Sequence, residues 1–290
     1  KARSDRPPSA WDVLYRFGEE AEKGRAINLF RPDLIGREDE LKQLVSEIEL
    51  VSQRQFRPAH LLIGPAGVGK SRLLEELWDR ARGHGFRIVR LTAPEPLEAP
   101  YSYLNPLLEL ILDIVRDQPL LGRRLLRDDA GVVARIAPRL TELEALEITQ
   151  AQALAPNEER RRAKQVLWRV IHRLSRQEPL MLICDHLEKS DLLSLDVLNH
   201  FADELVRLAD GQDSDMSPGS LMLVGAWREG ERAELLVRQQ AARRVNLGPL
   251  SATDVRGLVS ACLGSAPGTL LLEHITKSSQ GVPLVCIEML

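Results

Sequence analysis

The chain alternates short apolar runs with longer amphipathic stretches. The apolar runs cover residues 60–64, 180–185 and 221–226, a mixed run covers 87–91, and a shorter one covers 245–247. Between them, apolar residues recur at helical spacing over 37–53, 157–176 and 192–208. Apolar strands that alternate with amphipathic helices are typical of a parallel sheet covered on both faces. The pattern therefore predicts an α/β fold.

The same pattern suggests how the chain is organised. Residues 1–30 are predicted to form a leader or linker, and 31–250 the α/β domain. A helical pattern then runs over 251–290, where Ser251 and Asp254 resemble a capping box. The chain begins with Lys1, and its last stretch, 284–290, is still apolar and helix-like. We therefore expect a piece of a longer protein whose helical subdomain is cut short.

Composition and charge narrow the classes of partner. The formal net charge is -3, which gives no strong attraction to nucleic acid or to an anionic membrane. No apolar run reaches the roughly 18 residues that a membrane span needs. The three cysteines are widely spaced in apolar contexts, which indicates buried thiols in a reducing compartment. We expect a cytoplasmic domain that contacts no membrane and does not itself bind nucleic acid.

One motif carries specific chemistry. Residues 64–71 match the pattern G-x-x-x-x-G-K-[ST], directly after an apolar run and at the start of a helical stretch. Glycines let successive N–H groups point at an anion, Lys70 would reach the β- and γ-phosphates, and the Ser71 hydroxyl would ligate Mg²⁺. The predicted nucleotide-binding residues are Gly64, Pro65, Ala66, Gly67, Val68, Gly69, Lys70, Ser71 and the adjacent Arg72.

A second acid is expected at the same edge of the sheet. Asp185 ends the third apolar run, and the carboxyl ends of parallel strands are where ligands bind. It is the natural partner of Ser71 in holding Mg²⁺. The alternative is an aspartate that only caps the following loop.

Hydrolysis is less clearly indicated than binding. The position after Asp185, where a water-activating acid is usual, holds His186, either a base or a structural, attenuating histidine. The nearest acids on that loop are Glu188 and Asp191. Arg228 follows the fourth run, where it would either stabilise phosphate charge or form a surface salt bridge. The candidate catalytic residues are Lys70, Asp185, Glu188 and Arg228.

An ordered set of motifs resembles one family. LIGREDEL at 34–41 looks like the "vGRexEl" opening of AAA-type ATPases, and PYSYLNPLL at 100–108 is similar to "PYxPLxxLL". DHLEKSD at 185–191, VGAWR at 224–228, LS at 250–251 and GVPL at 281–284 resemble "DDLHWAD", "lGTyR", "pLs" and "GNPLfl". Together they resemble the STAND class, signal-transduction ATPases with numerous domains. The branch is that of maltose-activator-like transcription regulators and of ATPase modules attached to cyclases or kinases.

The resemblance covers about residues 30–290 and implies more than the residues do alone. It implies a parallel sheet of order 5-1-4-3-2, a helical lid, and ATP or ADP with Mg²⁺. It places Arg37 near the nucleotide and Pro283 against the base. It also implies a switch, with ADP holding a closed monomer and ATP plus an inducer allowing self-association, governed by attached sensor and effector domains. His186 and the Glu188-Lys189 pair depart from the family pattern and argue for slow hydrolysis.

Two other functions remain open from the sequence. A DNA-associated AAA ATPase of the origin-recognition or loader type shares the opening at 34–41. Such proteins usually carry an Asp-Glu pair where this chain has Asp185-His186, together with a basic module. The other is a scaffold that binds nucleotide without hydrolysing it.

Overall fold

The structure, a computed structural model, describes residues 33–93, 99–143, 155–212, 217–230 and 241–290. The predicted leader, 1–30, lies outside the described residues. The chain divides into two compact units. One is Arg37–Gly248, and the other contains, of the described residues, 33–36 and 249–290.

The larger unit contains a five-stranded parallel sheet. The strands are β1 (Ala59–Gly64), β2 (Arg87–Leu91), β3 (Leu180–Cys184), β4 (Leu221–Arg228) and β5 (Ala242–Asn246). Their order is β2-β3-β4-β1-β5, and each hydrogen-bonded pair is parallel. The predicted α/β fold and the implied order 5-1-4-3-2 are therefore confirmed.

The strand pattern follows burial. Every residue of β3 is buried, as are seven of the eight residues of β4 up to its last, Arg228, which explains their nearly continuous apolar sequence. β5 lies at the sheet edge and begins at Ala242, earlier than the predicted 245–247. Because Arg243 and Arg244 are exposed and charged, the first part of the strand has no apolar pattern in the sequence.

Helices flank this sheet. In chain order they are α1 (Glu38–Ser52), α2 (Lys70–Gly83), α3 (Asn105–Asp117), α4 (Pro119–Leu126), α5 (Ala130–Ile136), α6 (Pro156–Ser175) and α7 (Leu192–Ala209). Prolines lie in the first turn of α3, α4 and α6, where a missing N–H costs nothing. Among the described residues, no helix is both long and apolar enough to cross a bilayer.

The loop after β3 packs against the core of the larger unit. Among the described residues, Trp227, Tyr103 and Phe201 are the bulkiest fully buried side chains. A Cβ at Gly225 would lie 2.5 Å from a methyl group of Leu187. A larger residue at this position would force the Leu187 side chain to move, so the glycine favours close packing of the loop that follows β3 against β4.

The smaller unit is helical. It contains α8 (Ala252–Leu263), α9 (Thr269–Ser279) and α10 (Pro283–Glu288) around a small apolar core. The capping box is present, because Ser251 Oγ accepts from the Asp254 amide at 3.1 Å and the Asp254 carboxylate accepts from the Ser251 amide at 3.3 Å. Pro283 is the first residue of α10.

Candidate functional site

The loop after β1 has the geometry of an anion cradle. β1 ends at Gly64 and α2 begins at Lys70, so residues 65–69 form the connection. Gly67 and Gly69 have φ of 75° and 101°, which side chains rarely tolerate. At Gly64 a Cβ would lie 2.4 Å from the carbonyl oxygen of Leu247. The glycines of the motif are therefore required by backbone conformation and by close packing.

Lys70 folds back over this loop. Its Nζ donates to the carbonyl oxygens of Gly64 at 2.7 Å and Pro65 at 2.8 Å. Burial lowers the pKa of Lys70, while the charges of Glu188 and Asp185 act in the opposite direction. The ammonium is thus placed beside the loop by neutral acceptors, which phosphate oxygens would replace favourably.

Ser71 and Asp185 meet although they lie far apart in sequence. Ser71 Oγ donates to Asp185 Oδ1 at 3.1 Å, and Asp185 is 2% exposed. The Asp185 amide donates to the Leu91 carbonyl at 3.0 Å, and the Tyr103 hydroxyl donates to the Asp185 carbonyl at 2.7 Å. A hydroxyl and a carboxylate are the hard oxygen ligands that Mg²⁺ prefers alongside phosphate oxygens, so this pair fits that ion.

Arg90 is a further partner of Asp185, one that the sequence did not predict. Its Nη2 donates to Asp185 Oδ2 at 2.9 Å. The signal in the sequence is an arginine at the penultimate position of β2, between Val89 and Leu91, which are both buried.

His186 and Glu188 are tied to each other and to β4. His186 has a φ of 53°, in the left-handed region, and its amide donates to Asp185 Oδ1 at 3.0 Å. Its Nδ1 lies 3.2 Å from Glu188 Oε1, while Glu188 Oε2 accepts from the Arg228 amide at 3.1 Å. Both oxygens of Glu188 are therefore engaged, and this side chain joins the loop after β3 to the end of β4.

Asp191 serves as a cap. It accepts from the amides of Tyr101 at 3.0 Å, Tyr103 at 3.2 Å and Ser194 at 2.9 Å, the last being the N-cap bond of α7. Burial pushes the pKa of Asp191 upward, but the hydrogen bonds from Ser194, Tyr103 and Tyr101 hold it below its ordinary value. This acid anchors the segment at 101–103 to the start of α7.

The remaining predicted residues are placed as follows. Arg37 is buried and donates to the carbonyls of Val68, at 3.2 Å, and Gly248, so it supports the loop at 65–69, called here the phosphate loop. Arg72 lies in the first turn of α2, with Nη1 at 3.5 Å from Glu76. Arg228 is exposed at the end of β4. The predicted contact of Pro283 with the base stays a prediction.

Solved structures show a distant likeness. One is Cdc6p from Pyrobaculum aerophilum, with a TM-score of 0.45, 15% identity, and coverage of 90% of this chain and 63% of that one. The Aeropyrum pernix ORC1 protein in complex with DNA gives 0.49 and 17%, covering 92% and 62%. The Thermotoga maritima RuvB Holliday junction branch migration motor gives 0.46 and 16%, covering 90% and 63%. This chain thus spans less than two thirds of each, and a likeness this weak does not bear on what it binds.

None of the curated proteins compared with this chain matches it significantly. A family model described as "AAA ATPase domain" matches residues 33–224, which is about two thirds of the chain. The matched range includes the phosphate loop and β1 to β3, and it reaches into β4. On this match, the chain belongs to the AAA ATPase domain family.

Proposed function

We propose that this domain is a nucleotide-dependent regulatory switch that binds ATP or ADP with Mg²⁺ and hydrolyses ATP slowly. One observation carries the proposal: the hydroxyl of Ser71 and the carboxylate of Asp185 lie 3.1 Å apart beside a glycine-rich loop that holds the Lys70 ammonium. This is the set of groups that a nucleoside triphosphate and its metal ion require.

The roles follow from the chemistry of each group. Backbone N–H groups of 65–70 and the first turn of α2 would bind the phosphates, and Lys70 would balance their charge. Ser71 and Asp185 would hold Mg²⁺, which neutralises charge that develops on the phosphate oxygens. Arg37 would keep the loop in shape through Val68, and Arg228 would approach the terminal phosphate from the end of β4.

The surroundings of Glu188 support slow hydrolysis. A water-activating acid needs an oxygen oriented toward the attacking water and within hydrogen-bond reach of it. Glu188 instead engages His186 with one oxygen and the Arg228 amide with the other. A site of this kind favours retention of nucleotide over rapid turnover, which suits a switch of the STAND class.

The switch would act as one module within a longer protein. We infer that 31–250 is the nucleotide-binding domain and 251–290 the start of a helical lid, with Pro283 near the base. ADP would favour a closed monomer, while ATP exchange would favour self-association under the control of attached sensor and effector domains. Direct nucleic-acid binding by these residues is not part of the proposal.

The proposal is tested by identifying the nucleotide released on denaturing the purified protein, together with a steady-state phosphate-release assay. We expect near-stoichiometric ADP and very slow release of phosphate, with neither in the Lys70→Ala variant. Brisk turnover without retained nucleotide would overturn the switch. If DNA binding that weakens with salt accompanied that turnover, the protein would instead be a DNA-associated ATPase. Retained nucleotide with no turnover at all would indicate the scaffold.

A further inference from the structure

The side chain of Arg90 is hydrogen-bonded to the Asp185 carboxylate, which the proposed function assigns to Mg²⁺ binding. Arg90 Nη2 donates to Asp185 Oδ2 at 2.9 Å, while Ser71 Oγ and the His186 amide donate to Oδ1 at 3.1 and 3.0 Å. Asp185 therefore accepts hydrogen bonds at both oxygens. An ion that approaches this carboxylate has to compete with a guanidinium that already balances its charge.

The contact between Arg90 and Asp185 is one that a metal ion can displace. Arg90 Nη2 donates to the carboxylate, but Nε is buried and has no hydrogen-bond partner among the described residues, so the second bond of a bidentate Nε/Nη2 pair is not formed. A bidentate fork is the stronger arrangement. The Arg90 side chain is 38% exposed, whereas that of Asp185 is 3% exposed. The guanidinium therefore has solvent to move into, while the carboxylate stays in place.

The position of Asp185 does not depend on Arg90. The Asp185 amide is bound to the Leu91 carbonyl, and its own carbonyl accepts from the Tyr103 hydroxyl. The register of β2 against β3, with Leu91 opposite Cys184, fixes the backbone on one side. Removing the Arg90 side chain should thus change the charge beside Asp185 and leave the carboxylate where it is.

We propose that Arg90 is a positioning residue that lowers the affinity of the nucleotide site for Mg²⁺ by pairing with Asp185. The inference rests on the proposed function, because it requires Asp185 to take part in metal binding. Two cations, Lys70 and Arg90, then lie near the Asp185 carboxylate, and each would oppose a divalent ion held there through like-charge repulsion. Arg90 would have to leave the carboxylate before Asp185 could hold Mg²⁺. Mg²⁺ binding without the additional oxygen ligands of a nucleotide would therefore be disfavoured.

The test measures how strongly Mg²⁺ and nucleotide binding are coupled. The dissociation constant of fluorescent mant-ADP is measured with EDTA and with excess Mg²⁺. The value in EDTA divided by the value in Mg²⁺ is the coupling ratio. Arg90→Gln should raise this ratio by about tenfold, because the ion no longer displaces a charged hydrogen bond that partial exposure weakens. In the Arg90→Gln/Asp185→Ala double variant, this gain should disappear.

A matched control lies on the same strand. Arg87 of β2 is 41% exposed and pairs with Glu178 at 2.5 Å, away from Asp185. Arg87→Gln also removes an ion-paired arginine and should leave the coupling ratio unchanged. Arg90→Lys keeps a charge but shortens its reach and loses the planar fork, so it should raise the ratio by a smaller factor, about threefold.

The outcomes separate this inference from the proposed function. If the unaltered protein binds mant-ADP with a clear Mg²⁺ effect, but Arg90→Gln leaves the ratio unchanged or lowers it, the role of Arg90 is refuted. A parallel change of both dissociation constants would mean that Arg90 only supports the fold. Arg90→Lys provides the same comparison if the glutamine variant does not fold, as judged by circular dichroism. If the unaltered protein shows no Mg²⁺ effect, the metal assignment itself fails.

Discussion

His60 gives a quantitative prediction about pH and stability. It lies in β1, is 2% exposed, and neither ring nitrogen has a hydrogen-bond partner among the described residues. Burial lowers the pKa of His60 to about 4 from its ordinary 6.5; Arg243 and Arg57 act in the same direction, and Glu47 opposes them. The carboxylate of Glu47 is already shared by Arg57, at 2.5 and 2.9 Å, and by Arg243, at 2.7 Å. The two arginines therefore offset part of the attraction that the Glu47 carboxylate exerts on a protonated His60, and burial decides the direction of the pKa shift.

The sign of the effect follows from proton binding. Between the two pKa values, the unfolded chain binds a proton that the folded protein excludes, so the free energy of unfolding decreases as the pH falls from 6.5 toward 4. A difference of this size corresponds to about 3 kcal/mol when fully developed, and roughly 2 kcal/mol of it is lost by pH 5. Above pH 7 this penalty is absent.

Replacing the histidine removes both the penalty and the unpaired nitrogens. We expect His60→Leu to be more stable than the unaltered protein by about 1–2 kcal/mol at pH 7, because two buried polar atoms without partners are lost. The difference should grow by about 2 kcal/mol at pH 5. The difference in the free energy of unfolding is measured by urea unfolding at pH 5, 6 and 7. Unfolding is followed through the fluorescence of the buried Trp168 and Trp227.

A control and a refutation complete the experiment. His84 is exposed at the C-terminal end of α2, so His84→Gln should follow the pH dependence of the unaltered protein. Burial also lowers the pKa values of His172 and His200, so some dependence on pH persists in His60→Leu. If His60→Leu and the unaltered protein lose the same free energy between pH 7 and pH 5, His60 is not excluded from protonation and the reasoning is wrong.

Three predictions concern the nucleotide site directly. Lys70→Ala should abolish tight nucleotide binding, which an equilibrium titration with mant-ADP checks; an unchanged affinity would remove the central claim. Asp185→Ala should lose the gain in affinity that Mg²⁺ provides, and a surviving Mg²⁺ effect would show that the carboxylate is not a ligand. His186→Asp should raise the rate of phosphate release by restoring an acid beside Asp185, at a left-handed backbone position that aspartate tolerates better than most residues. A fall or no change in that rate would mean that His186 does not attenuate hydrolysis.

Features with local causes were accessible from the sequence. The phosphate loop is one, because its glycines are demanded by the φ of Gly67 and Gly69 and its ends by the strand and helix on either side. The capping box of Ser251 and Asp254 is another, since both partners lie within one turn. The buried strands β3 and β4 were readable because burial on both faces makes a strand apolar throughout.

The pairing of Ser71 with Asp185 was predicted from the sequence, but the partners of Arg90 and Glu188 were decided only by the tertiary structure. Arg90 and Asp185 are 95 positions apart, and they meet because β2 and β3 pair in one particular register. From the sequence, Glu188 was a candidate catalytic acid, but the packing of its loop against β4 engages both of its oxygens. Likewise, β5 lies at the sheet edge, where charged residues can remain exposed, so its sequence does not show the apolar pattern of a buried strand. Glycine geometry, capping and strand burial act over a few residues and leave a local pattern. The Arg90–Asp185 ion pair depends instead on the register of β2 against β3, which no local sequence pattern specifies.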